Sequence, residues 1–149
     1  MSSGKKHTGL GRVLLGCLGV GILIAVYTPP LFSSKDSAAH VIAAIGYHNK
    51  AAAIVNIPRL TISQAGWKAI VSYDKKALAE AQLADISAMN SYYPGFGDHF
   101  KNEFIEGLRL IVSNGNNRES APAFFKGQIL EHRFGDWYEA NVDAIRNRK

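Results

Sequence analysis

Apolar residues follow two regimes along the chain. Between residues 13 and 34 no side chain is charged, and residues 13–27 are apolar or glycine almost throughout. From residue 38 onward apolar positions recur every three or four residues, interrupted by polar, proline and glycine clusters. The first regime predicts a membrane-spanning helix, because about 20 residues rising ~1.5 Å each cross a hydrocarbon core of roughly 30 Å. Pro29 and Pro30 end it, since proline lacks the amide donor and clashes with the preceding turn. Tyr27 stands where an interfacial aromatic belongs. The second regime predicts amphipathic helices. The expected organisation is a basic arm (1–12), a transmembrane anchor (13–30), a linker (31–37) and a helical domain (38–149).

Within that domain, Asp36 or Ser37 caps a helix to about Ile54, with Val41, Ile42, Ile45 and Ala52 as apolar positions. Gly46 suggests a bend, and Pro58 closes the segment. Thr61-Ile62-Ser63-Gln64 reads as a capping box opening a long helix to about Asn90. Ala65, Ala69, Tyr73, Ala77 and Ala81 line one side of it, with Ile70 nearby. A hairpin within residues 59–72 is the alternative. Asp98 is the expected N-cap of a helix to about Ser113, whose face carries Phe100, Phe104, Leu108 and Ile111. Ser120 caps the last helix, whose apolar positions include Phe125, Ile129, Phe134, Trp137, Tyr138 and Ile145. The fold class is therefore mainly α: one N-terminal transmembrane helix, then a small irregular antiparallel bundle of about four helices.

Charge sets the orientation. Lys5, Lys6 and Arg12 precede the apolar segment, leaving 14 basic against 12 acidic residues beyond it. The positive-inside rule then places the N-terminus in the cytoplasm and the domain in the periplasm, with a mitochondrial inner membrane as the other option. The nearly balanced domain does not suggest nucleic-acid binding. Cys17 is the sole cysteine, so the domain has no internal disulfide and no thiolate metal site. Leu14-Leu15-Gly16-Cys17 matches a lipobox, but it lies too close to Arg12 and the apolar run continues past it. An uncleaved anchor is the reading. Cys17, Gly21 and Ala25 form a small-residue stripe, which serves either a partner helix in the bilayer or reflects the frequency of glycine in such helices.

Candidate chemistry changes little. No two of the five histidines are three or four residues apart, and no Glu-x-x-His occurs. No metal or other cofactor is expected. Glu103 and Glu106 share one helix as a possible acid–base pair, with Arg109 placed to neutralise Glu106. Tyr92, Tyr93 and Phe96 lie on a connection containing Pro94 and Gly95, which makes them the expected interaction loop. These observations point to a non-enzymatic accessory or assembly subunit of an inner-membrane complex. It would contact lipid and an integral membrane protein, and no small-molecule substrate is inferred. Two alternatives stand beside it: an anchored periplasmic binding or inhibitory protein of the immunity or exclusion type, and a small envelope enzyme using Glu103, Glu106 or Asp98.

Overall fold

A computed structural model describes residues 35–55, 63–115 and 121–147. The expected anchor, with Cys17, Gly21 and Ala25, lies outside the described residues. Among the described residues no helix is long and apolar enough to cross a membrane.

The protein is mainly helical. Helix α1 (Lys35–Val55) runs unbroken through Gly46, so the expected bend is absent. Helix α2 (Gln64–Ala81) is capped by Ser63, whose hydroxyl accepts from the Gly66 amide at 3.1 Å. Residues 64–72 are therefore helix and not hairpin, and Ser63 does the capping expected of Thr61. The helix stops at Ala81, well short of Asn90. Asp85 starts a new one there: its carboxylate accepts from the Ala88 amide at 2.9 Å and caps α3 (Ile86–Tyr92).

Gly95, with φ of +83°, makes the left-handed turn into α4 (Phe96–His99). Asp98 is thus inside the helix and not its cap. It instead exchanges hydrogen bonds with the Asn90 side chain, at 3.0 Å from the Asn90 amide and 3.2 Å to its oxygen. Helix α4 continues through a π-helical segment (Phe100–Ile105) into α5 (Glu106–Asn114), with right-handed helical backbone at both joins. Helix α6 (Ala121–Arg146) closes the chain.

Two antiparallel pairs build the bundle. Contacts at His40–Glu80 and His48–Asp74 run in opposite directions along α1 and α2. Helix α6 lies against the α4–π–α5 rod, with Phe96 beside Tyr138 at one end and Gly107 beside Gly127 at the other. The faces of these helices meet in one core. Phe100, Phe104 and Leu108 are fully buried, as their spacing predicts, and Ile111 is 3% exposed. Phe134 packs on Phe100 and Phe104 with ring centroids 5.6 and 5.3 Å apart. Such ring pairs add about 0.5–1.5 kcal/mol each beyond their burial. On α2 the buried face is Ile70, Val71, Asp74, Ala77 and Ala81, rotated from the expected one, which leaves Ala65 outside.

Candidate functional site

One buried position on each of three helices is ionisable. On α1 the inward stripe Val41, Ala44, Ile45 continues through His48 to Ala51 and Ala52. On α2 it runs Ile70, Asp74, Ala77, Ala81. On α6, Gly127, Glu131, Phe134 and Tyr138 follow at three- and four-residue steps and all are buried. Helix packing therefore delivers His48, Asp74 and Glu131 to a single point. Their side chains are 6%, 3% and 3% exposed.

The imidazole is held from both sides. Its Nδ1 donates to Asp74 Oδ1 at 3.0 Å. Its Nε2 lies 3.5 Å from Glu131 Oε2, within ion-pair reach but without a hydrogen bond. The edge of Phe104 meets the imidazole ring at 5.6 Å. Glu131 Oε1 has no hydrogen-bond partner among the described residues. His48, Asp74 and Glu131 line a cavity of about 30 Å³, whose other walls include Ala52, Ile111 and Phe124. That volume admits a water molecule and little more.

Close helix contact fixes Glu131 in place. A Cβ on Gly107 would stand 2.6 Å from Glu131 Cγ and 2.8 Å from the Gly127 carbonyl oxygen. A Cβ on Gly127 would stand 2.7 Å from the Gly107 carbonyl oxygen. Bare glycines at this crossing let α5 and α6 approach until the Glu131 stem is wedged between them.

Burial decides the protonation of the cluster. Desolvation works against a charged His48, but the Glu131 charge and the Asp74 hydrogen bond outweigh it and raise its pKa from 6.5 to about 9. For Glu131, desolvation raises the pKa from 4.5 to about 8, with the His48 charge opposing and the Asp74 charge adding. In the fold the pair therefore holds its protons more tightly than exposed side chains would. The arrangement can store protons and pass one to a water entering the adjoining cavity. Among the described residues no group of three histidine, cysteine or acidic side chains has the geometry to hold a metal ion.

The residues singled out from sequence lie elsewhere. Glu106 forms a bidentate pair with Arg109 at 2.6 and 2.7 Å, and that hydrogen bond holds its carboxyl below the usual range. Glu103 pairs with His99 at 2.9 Å, and the His99 ring stacks on Trp137 at 4.3 Å. Asp98, Glu103 and Glu106 thus have separate partners and none lines the cavity. The expected interaction loop is folded inward. Phe96 is fully buried, while Tyr92 and Tyr93 are half-buried. Their hydroxyls donate to the Ile145 carbonyl and the Asn141 side chain, both at 3.0 Å. The physical reason is the turn at Gly95, which directs the chain back under α6 and carries Phe96 with it.

Residue spacing along single helices does not reveal the buried cluster, because each member stands alone on its own helix. The available signal was a titratable residue interrupting an apolar stripe, once on each of three helices. Comparison with protein-family models, with curated proteins and with solved structures finds no match to this chain, so its site is read from its own geometry.

Proposed function

We propose that the protein is a single-span, membrane-anchored accessory or assembly subunit of an inner-membrane complex and acts by protein–protein contact. The carrying observation is the outer face of α6. Phe125 and Ile129, one helical turn apart, are 47% and 55% exposed. Lys126 and Arg133 are exposed beside them. An aromatic and an aliphatic anchor flanked by cations suit an apolar segment with acidic neighbours on the partner. The apolar segment at residues 13–30 supports the anchored, integral membrane context.

The test is mild-detergent purification of the full chain from its native membrane, with Ile129→Asp and Phe125→Asp compared with the unsubstituted protein. Both variants are expected to keep their helical content and to lose a co-purifying integral membrane protein. Undiminished recovery of that protein with both variants overturns the α6 contact. Gly21→Leu examines the anchor separately: release of the partner implicates the bilayer stripe, and unchanged recovery confines the contact to the domain.

A further inference from the structure

We propose that the His48–Asp74–Glu131 cluster is a proton-operated latch: while protonated it ties α6 to the α1–α2 hairpin, and losing its protons in mildly alkaline conditions lets α6 open. This inference is independent of what the protein binds.

Its basis is geometric. Two carboxyl groups flank one imidazole, each reaching a different ring nitrogen and each almost wholly buried. A single imidazolium can neutralise one carboxylate, so the second carboxyl group stays neutral only by keeping its proton. Glu131 is the one without a good hydrogen bond, with Oε1 facing no partner among the described residues. It cannot swing outward, because the Gly107–Gly127 crossing closes on its stem. Ionising it sets two buried carboxylates against a single imidazolium, and separation of α6 from its neighbours relieves that excess of negative charge.

Few other charges intervene. Among the described residues, Asp74 of α2 faces the ring, and from the π-segment and α5 the facing side chains are Phe104 and Ile111, which do not titrate. On α6, Gln128 shares the cavity wall, and His132 turns instead toward Asp136 at 3.3 Å. Lys50 and Lys76 lie outside, over the Tyr47 ring at 5.4 and 5.8 Å. Glu106 is occupied by Arg109 on the surface. Supporting the geometry, the pKa of His48 is raised from 6.5 to about 9 and that of Glu131 from 4.5 to about 8, so the pair holds its protons more tightly in the fold than when exposed. Opening near neutral pH thus releases up to about two protons.

Hydrogen exchange of α6 amides tests the latch in the full chain in detergent, with each rate divided by the intrinsic rate at that pH. Between pH 6.5 and 8 the opening constant should climb by up to ~100-fold per pH unit, the signature of two protons. Glu131→Gln, which stays neutral, should lower that dependence to tenfold per unit or less. Infrared spectroscopy gives a second readout that needs no variant: a carbonyl band of protonated carboxylic acid at neutral pH, vanishing as α6 opens. A rise of under tenfold across the whole window, an unchanged slope in Glu131→Gln, or absence of that carbonyl band at neutral pH overturns the latch.

Discussion

At the scale of single residues, the cluster is a conditional source of stability. Removing one partner leaves a buried charge or proton donor unanswered. Asp74→Ala should therefore cost about 3–5 kcal/mol in denaturant unfolding of the full chain. Replacing all three groups with apolar residues of similar volume should be neutral or stabilising by about 1–4 kcal/mol. The contrast separates the cost of breaking the cluster from the worth of having it. The sign of the pH dependence follows from both pKa values being raised. In each case the folded state keeps a proton that the unfolded chain loses more easily, so stability falls as pH rises. The loss begins near pH 4.5, where unfolded Glu131 ionises, and ends near pH 9, where folded His48 gives up its proton. Between pH 6.5 and 8 both groups contribute to the fall. Denaturant midpoints measured across this range should fall with rising pH in wild type and stay level in the triple apolar variant, so that the variant's advantage is smallest on the acidic side and grows on the alkaline side.

At the scale of helices, glycine has opposite meanings at two places. Gly107 and Gly127 sit where any side chain would strike backbone within 3 Å. Gly107→Ala should force α5 and α6 apart and destabilise by about 1–3 kcal/mol. At Gly46 a Cβ meets nothing within 4 Å, in the middle of a continuous helix. Gly46→Ala should stabilise by about 0.5–1 kcal/mol through lowered chain entropy and better helix propensity. Thermal melts of the two variants should move in opposite directions. The same elements show what the sequence makes legible. The face Phe100, Phe104, Leu108, Ile111 is visible because large apolar residues repeat at helical spacing, and it is buried as that repeat requires. The stop after Ala81 is hard to see: residues 82–84 (Gln-Leu-Ala) contain neither proline nor glycine, and only the Asp85 cap marks the restart. Alanine-rich α2 has little contrast between its faces, so the rotation that turns Asp74 inward is decided by packing against α1. The cluster itself needs three such rotations at once, which no single helix encodes.

At the scale of the molecule, α6 joins the two proposals. Its inner face carries Glu131 of the latch, and its outer face carries Phe125 and Ile129 of the proposed contact. Phe124 packs on Trp67 at 5.7 Å, and Val55 shares the cavity with Phe124 and Gln128. This end of α6 therefore lies toward the C-terminal end of α1, 20 residues beyond Lys35. At ~1.5 Å per residue, that is roughly 30 Å along the helix from where the chain would leave the bilayer. On the proposed anchoring, the contact face lies near the end of α1 remote from the anchor. Thermodynamic linkage then couples contact and latch. A partner that binds closed α6 stabilises that state, and conditions that open α6 weaken the partner's hold. Partner affinity should consequently fall between pH 6.5 and 8 in the unsubstituted protein. It should fall much less in Glu131→Gln, although residue 131 is buried and touches no partner. Equilibrium binding of the purified full chain to the purified partner, measured at both pH values, decides the matter: an equal loss of affinity in the two proteins would show that the latch and the outer face act separately.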